Sequence, residues 1–157
     1  MSQNILIPLD GSALGEAAVS HVSDMITRLA PGEKINITLF HTITTLNHSL
    51  YVHGGGEIVT IPYTPKELDE MKASAVKYLE KVGERFKKDG ITVSCTVTLG
   101  DSAAKEILKA EEELKADLVA MSTHGRGGLA RFAFGSVADK VLRAGTVPVL
   151  LIRAKEE

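Results

Sequence analysis

The sequence lacks the features of an extracellular or membrane-bound protein. It contains one cysteine, Cys95, so it cannot form an internal disulfide. Its apolar blocks are short compared with the roughly 20 residues that span a bilayer, and its first residues lack the basic and apolar regions of a signal peptide. We therefore expect a soluble, cytoplasmic protein with no membrane partner.

An excess of positive charge is also missing. The 18 Lys and Arg residues are balanced by 20 Asp and Glu residues, which gives a formal net charge of -2 without a long basic run. Nucleic-acid binding usually requires a dense stripe of Lys and Arg, so we expect no nucleic-acid partner. The five histidines are scattered without Cys partners or ligand spacing, which argues against a metal cluster. A lysine-containing P-loop motif is absent as well.

The hydrophobic pattern indicates an α/β protein. Short β-branched apolar runs alternate with longer segments of helical period, which is typical of βαβ units in a parallel sheet. Hydrophobic residues make up 44% of the chain, which suits a single domain over residues 1–157 that buries roughly 70% of its unfolded surface. We predict strands at 4–9, 34–42, 92–99, 117–122 and 147–152, and helices at 12–30, 65–89, 102–114 and 136–143.

The predicted helix at 65–89 has the best-marked start. Thr64 and Glu67 have the spacing of a capping box, and Pro65 fits the first helical position. The strand at 92–99 alternates apolar and polar residues, so we place it at a sheet edge with Cys95 toward the core. The strands at 4–9 and 117–122 are apolar on both faces and are predicted to be central.

Two segments favour interaction or movement. The last strand is apolar throughout, yet Pro148 lacks a backbone donor and is normally confined to edges; an apolar edge favours a partner, so we hypothesise a homodimer through Val147 to Ile152. Residues 44–64 are rich in His, Tyr, Gly and Pro, and we predict a flexible insertion there, longer than most loops. It is either a lid over a site or a surface loop without a role.

A carboxylate follows the first strand directly. Pro8-Leu9-Asp10 ends that strand, so Asp10 lies at the carboxyl edge of a central strand, where open α/β sheets bind ligands. An acidic side chain there can accept hydrogen bonds from two ribose hydroxyls, which makes Asp10 the candidate ribose ligand. The alternative is that Asp10 only caps the helix predicted from Ser12, although Ser12 can itself serve as that cap.

A glycine-rich stretch follows the fourth strand and precedes a helix. Glycines let the backbone approach a ligand, and the free N–H groups of a helix start favour an anion. The alternative for Ser136 is a capping box with Asp139, which needs no ligand. The upstream glycines and arginines favour phosphate binding instead, and His41 and His124 lie at strand ends nearby. These glycines and arginines are Gly125, Gly127, Gly128, Arg126 and Arg131.

With these residues, the chain resembles the universal stress protein family along nearly its whole length, from Ile5 to Ile152. The ATP-binding branch of that family carries the pattern G-x-x-G-x9-G-[S/T]. Gly125 and the pair Gly135-Ser136 reproduce its second half, whereas Ser122 replaces the first glycine. If that position requires a left-handed backbone, serine costs about 1 to 2 kcal/mol. If it requires only a small side chain, serine fits and its hydroxyl can contribute.

The resemblance implies a Rossmann-like nucleotide-binding fold, an open sheet of five parallel strands in the order 3-2-1-4-5 with helices on both faces. It implies that Asp10 contacts ribose, that Pro8 and the backbone at Thr42 frame adenine, and that Ser122, Gly125, Gly135 and Ser136 hold phosphates. The full set of candidate binding residues is Pro8, Leu9, Asp10, Thr42, Ser122, His124, Gly125, Arg126, Gly127, Gly128, Gly135, Ser136 and Val137.

The function expected from this resemblance is a regulatory, dimeric stress protein that binds ATP, or AMP or ADP. Mg²⁺ or Mn²⁺ can be carried by the phosphates. No nucleophile, base and orienting group can be assembled from the sequence, so we expect hydrolysis to be slow or absent. The alternatives are a slow metal-dependent nucleotide hydrolase, a non-nucleotide interaction module of the same fold, and an FMN-binding flavodoxin-like protein.

Overall fold

The computed structural model describes residues 2–28, 32, 34–44, 46–51, 58–124 and 135–154. Seven strands are found in these ranges: β1 (Ser2–Pro8), β2 (Lys34–Ile43), β3 (Asn47–Tyr51), β4 (Ile58–Pro62), β5 (Ile91–Leu99), β6 (Leu118–His124) and β7 (Val149–Ala154). The helices in the same ranges are α1 (Ala17–Thr27), α2 (Pro65–Gly83), α3 (Ala103–Glu113) and α4 (Ser136–Ala144), with a 3₁₀ turn at Glu84–Phe86.

Five strands form one open sheet in the order β5-β2-β1-β6-β7. Every adjacent pair in it is parallel, which confirms the predicted α/β class and the parallel five-stranded sheet. The strand order differs in detail from the prediction, because β3 and β4 lie between β2 and β5 in the chain. Counted within this sheet alone, the strands follow the succession 3-2-1-4-5. The alternating strand β5 and the apolar strand β7 lie at the two edges, as predicted.

Helices cover both faces of the sheet because β1 is apolar on both sides. Ile5 and Ile7 belong to a buried cluster that also contains Val19 from α1 and Leu79 from α2. Leu6 points the other way, into a second cluster with residues of α3 and α4, among them Ile107 and Val141. The successive side chains of a strand alternate between faces, so one continuous apolar run supplies two cores.

The prediction for residues 44–64 was incomplete. Instead of an insertion without regular structure, the described part of this segment contains an antiparallel two-stranded sheet of β3 and β4. The run Ile58-Val59-Thr60-Ile61 in β4 is β-branched at each position, which favours a strand. All five residues of β4 are nevertheless exposed, so the hydrophobic pattern there does not mark a core.

The start of the first helix was predicted too early. Residues 11–16 form bends and turns, and α1 begins at Ala17. Ser12 therefore lies in this turn and not at the start of α1, and its backbone N–H and its hydroxyl both donate to Asp10 Oδ1, at 2.9 and 2.6 Å. Helix α2, by contrast, begins as predicted, with Pro65 in its first turn and both halves of the Thr64 and Glu67 capping box present. It ends at Gly83, before the predicted end at 89.

The position of Cys95 and the character of the helices can be compared with the expectations from composition. Cys95 is half-buried and packs against the core under α2, and burial raises the pKa of its thiol. Among the described residues, none of the helices combines the length and the apolar character that crossing a bilayer requires.

Candidate functional site

The candidate site lies at the ends of two neighbouring central strands whose following helices pack on opposite faces of the sheet. Strands β1 and β6 are adjacent and parallel, and helix α1 follows β1 on the face of the Ile5 cluster. Helix α4 follows β6 on the opposite face. The helices that follow β1 and β6 therefore lie on opposite faces, and ligands of open α/β sheets bind in a crevice at the carboxyl ends of two such strands.

A cavity of about 350 Å³ occupies this crevice. The size is within the range of small-molecule sites, about 300 to 1,000 Å³. The cavity brings together candidate residues from four separate parts of the chain, namely the ends of β1, β2 and β6 and the start of α4. The candidates that line it are Pro8, Leu9, Asp10, Thr42, Ser122, Gly135, Ser136 and Val137.

The remaining candidate residues are in or beyond the end of β6. Residue His124 ends β6, whereas Gly125, Arg126, Gly127 and Gly128 lie outside the described residues, as does Arg131. Residue His41 belongs to the opposite side of β2 from Phe40 and Thr42, which line the cavity. The Nδ1 atom of His41 instead lies 2.7 Å from the carbonyl oxygen of Leu9 and braces the end of β1.

Sequence reasoning missed the apolar wall of the cavity. This wall is made by Phe40 of β2, Met121 of β6, Ala103 and Ile107 of α3, and Ala138 of α4. Each of these residues occupies a core-like position in a strand or helix, so the hydrophobic pattern alone did not distinguish them from residues buried against protein. An apolar lining with a few polar groups is typical of small-molecule sites.

Asp10 is held in place by the turn that follows it. Its Oδ1 atom accepts the hydrogen bonds from Ser12, and the hydroxyl of Ser12 in turn accepts one from the N–H of Gly15 at 3.0 Å. A β-carbon on Gly15 would lie only 2.5 Å from Oδ1 of Asp10. Residue 15 must therefore be glycine for the carboxylate to occupy its position. Among the described residues that line the cavity, Asp10 is the one with an ionisable side chain.

Ser122 has the ordinary backbone conformation of a strand residue. It is a regular residue of β6, and among the described non-glycine residues only Lys115 has a positive φ. The left-handed backbone considered for this position is therefore not adopted. The hydroxyl of Ser122 donates to the carbonyl of Gly15 at 2.8 Å and accepts the N–H of Ala18 at 2.9 Å. Since its proton is donated to the protein itself, it cannot also be donated to a phosphate in this arrangement.

The alternative interpretation of Ser136, a capping box with Asp139, is not found in the structure. Gly135 is the N-cap, with φ 82° and ψ 146°, and no described side chain caps the first turn. Asp139 does not reach back, because both its oxygens accept from Nε of Arg143, at 2.9 and 3.0 Å. The Asp139 carboxylate is thus paired with a residue one turn further along the helix.

A second group of polar side chains braces the turn between β1 and α1 from outside the cavity. Glu16 accepts a hydrogen bond from the hydroxyl of Tyr78 at 3.2 Å and pairs with Arg85 at 2.5 Å. Burial and the charge of Glu16 raise the pKa of Tyr78 to about 12, with a smaller contribution from Asp10. Within the described residues, no group of three or more His, Cys, Asp or Glu could hold a metal ion.

Comparison with known proteins gives the same family along the chain. The model of the universal stress protein family matches residues 1–153. Universal stress protein MJ0531 from Methanocaldococcus jannaschii is 30% identical over 151 residues, which are 96% of this chain and 82% of that protein.

Two solved structures share the fold. The structure of MJ0577, also from Methanocaldococcus jannaschii, superposes with a TM-score of 0.70 at 21% identity, over 99% of this chain and 98% of that one. A universal stress protein in complex with cAMP superposes with a TM-score of 0.61 at 21% identity, over 98% of each chain.

Proposed function

The chain belongs to the universal stress protein family, and from this premise we propose that it binds an adenine nucleotide, ATP in the first place, in the cavity between the ends of β1 and β6. The observation that carries the proposal is the convergence of Asp10, Thr42, Ser122 and Gly135-Ser136 on one cavity. These residues were selected from sequence motifs that lie far apart in the chain.

The nucleoside end of the ligand fits the β1 side of the cavity. Asp10 offers a carboxylate whose orientation is fixed by Ser12, and carboxylates at this place in α/β sheets accept hydrogen bonds from ribose hydroxyls. Pro8 and the backbone at Thr42 would frame the adenine. The apolar side chains of Phe40 and Ile107 give the adenine base an apolar surface to pack against, and removing that surface from water favours binding.

The phosphate end fits the start of α4. The first-turn amides, which begin at Ser136, carry the partial positive charge of a helix N-terminus, and no described side chain caps them. Gly125, Gly127, Gly128 and Arg126 are proposed to complete the phosphate site, with His124 beside it. Mg²⁺ or Mn²⁺ would be carried on the phosphates, since such ions need few protein ligands when phosphate oxygens are present.

A solved relative supports the ligand class. The universal stress protein of the second comparison structure is in complex with cAMP, an adenine nucleotide. That protein shares 21% identity and the fold with this chain. An adenine nucleotide is therefore the ligand class that we propose for the crevice between β1 and β6.

We propose that nucleotide occupancy is regulatory, as part of a stress response in the cytoplasm, and that hydrolysis is slow or absent. The described lining of the cavity contains one ionisable side chain, Asp10, and that carboxylate is hydrogen-bonded to Ser12. A general base must reach the water that it activates with a suitable pKa. Asp10 is assigned to ribose instead.

We also propose that the protein is a homodimer through the strand Val147 to Ile152. The support is the position of β7 at the edge of the sheet and its apolar composition, because unpaired edges with apolar side chains favour association. Light scattering after size exclusion at micromolar concentration is expected to give twice the chain mass. A monomer under those conditions would contradict the dimer and leave the nucleotide site unaffected.

The direct test of the ligand is to denature the purified protein and identify released small molecules by chromatography and mass. We expect ATP, ADP or AMP. If the protein is purified empty, titration with ATP and Mg²⁺ should raise its Tm, because a ligand that binds only the folded state stabilises it. Empty protein with an unchanged Tm at millimolar ATP would instead favour an interaction module of this fold.

A further inference from the structure

A chain of hydrogen bonds connects the end of β6 with the carboxylate at the end of β1. The hydroxyl of Ser122 donates to the carbonyl of Gly15, and the N–H of Gly15 donates to the hydroxyl of Ser12. That hydroxyl donates to Oδ1 of Asp10 at 2.6 Å. Gly15 is the link, since its carbonyl faces Ser122 while its N–H faces the Asp10 side.

Ser122 also caps helix α1 from a different strand. The residue in the N-cap position of α1, Glu16, has a helical backbone and makes no side-chain cap. The N–H of Ala18 in the first turn is bound instead by the hydroxyl of Ser122, at 2.9 Å. The side chain that would satisfy a free helix amide locally is therefore supplied from 104 residues away in the sequence.

The space around Gly15 makes this arrangement sensitive to small shifts. A β-carbon there would meet Oδ1 of Asp10 at 2.5 Å and the hydroxyl oxygen of Ser12 at 3.3 Å. The space beside Gly15 is thus filled by the Asp10 carboxylate and by the Ser12 hydroxyl, which accepts the N–H of Gly15 and donates to that carboxylate. Whatever fixes the position of Gly15 also fixes that carboxylate.

We propose that Ser122 is a positioning residue for ribose recognition: it holds the Gly15 turn against β6 and so orients Asp10 toward the two ribose hydroxyls. This inference rests on the proposed nucleotide site and deepens it, because it assigns the specificity for ribose to a serine that does not contact the ribose. A glycine at position 122, which the ATP-binding pattern of the family carries, has no hydroxyl to make this connection.

The test compares ATP with 2′,3′-dideoxy-ATP, which lacks both ribose hydroxyls, by isothermal titration calorimetry with Mg²⁺. The full-length wild-type protein is expected to bind ATP at least about tenfold more tightly, as the loss of hydrogen bonds to a charged carboxylate implies. In Ser122→Ala and Ser122→Gly this ratio is expected to fall to about threefold or less, through weaker ATP binding and nearly unchanged dideoxy-ATP binding. Ser122→Thr retains the hydroxyl and should retain the ratio.

Two further variants separate this role from general stability. Thr64→Ala removes the cap of α2, away from the cavity, and should lower the Tm without changing the ATP to dideoxy-ATP ratio. Gly15→Ala displaces Asp10 from the other end of the connection and should lower the ratio as Ser122→Ala does. It also keeps the inference testable if the Ser122 variants do not fold.

The outcomes are distinct. If Ser122→Ala weakens ATP and dideoxy-ATP equally, Ser122 acts on the phosphates or only on stability, and the inference is overturned. A wild-type ratio near one, with ATP bound, overturns the inference and leaves the nucleotide site standing. Wild-type protein that binds neither nucleotide overturns both the inference and the proposed function.

Discussion

The carboxylate of Glu111, a buried residue of α3, accepts hydrogen bonds from both the backbone N–H and the hydroxyl of Thr146, at 2.6 and 2.8 Å. Its Oε1 atom also accepts the N–H of Val147 at 3.2 Å, and the residue is 3% exposed. A helix side chain thus satisfies the backbone of the turn between α4 and β7. The position of the C-terminal edge strand depends on this one carboxylate.

Glu111→Ala is expected to lower the free energy of unfolding by about 2 to 4 kcal/mol, because it leaves two partly buried backbone donors without their acceptor and creates a cavity at a buried position. Urea unfolding followed by circular dichroism measures the change. Glu111→Gln keeps an acceptor oxygen in the same place and should cost clearly less. Equal losses in the two variants would show that the hydrogen bonds to Thr146 and Val147 are not what matters.

Asp10→Asn is expected to weaken ATP binding by about tenfold or more, because the amide loses the charge and one of the two acceptors for the ribose hydroxyls. Calorimetric titration measures the Kd. Asp101→Asn is the matched control. Asp101 follows β5 at the same carboxyl edge of the sheet, is exposed and pairs with Lys105. The two variants should differ; a similar Kd for both would remove Asp10 from the ligand site.

Gly135→Ala is expected to destabilise the protein by about 1 to 3 kcal/mol, the usual cost of a side chain in a backbone conformation reserved for glycine. The new methyl group itself meets nothing within 4 Å. Since this residue sets the direction in which α4 starts, ATP binding should also weaken. Gly32→Ala is the control: its φ is +102° and its surroundings are equally open, so it should lose stability without losing affinity.

The raised pKa of Tyr78, about 12, predicts a pH dependence of stability at alkaline pH. A phenol whose pKa is 10.0 in the unfolded chain and higher in the folded one contributes stability fully below pH 10, and this contribution is lost as the pH rises through 12. Ultraviolet titration should show one tyrosine that ionises late. In Tyr78→Phe this late step should disappear, together with the Tyr78 part of the alkaline loss of stability; a late step that persists would assign it to another tyrosine.

The sheet and the start of α2 were predictable because their signals are local. β-branched runs and the Thr64-Pro65-x-Glu67 pattern act over a few residues, so the sequence places them without knowledge of the rest of the fold. The two-stranded sheet of β3 and β4 was missed because glycines, histidines and prolines surround it in the sequence, and because the apolar residues of β4 are exposed. The composition of the whole segment therefore predicted a loop, although two short strands lie within it.

The site was predictable in its parts and not in its connections. Asp10 and Gly135 were selected because strand ends and helix starts have recognisable sequences, and both line the cavity. The bonds from Ser122 to Gly15 and Ala18 join residues more than 100 positions apart, and nothing in the local sequence of either partner indicates them. For the same reason α1 was extended to Ser12: a local reading assigns that serine to the helix, whereas the fold assigns it to Asp10.

A crystal structure of the protein grown with ATP and Mg²⁺ would test directly whether the nucleotide binds between the ends of β1 and β6. We expect the ribose hydroxyls to lie within hydrogen-bond distance of the Asp10 carboxylate and the phosphate oxygens to accept hydrogen bonds from the backbone amides at the start of α4. A nucleotide bound elsewhere on the molecule, or a crevice between β1 and β6 without ligand at saturating ATP, would contradict this expectation.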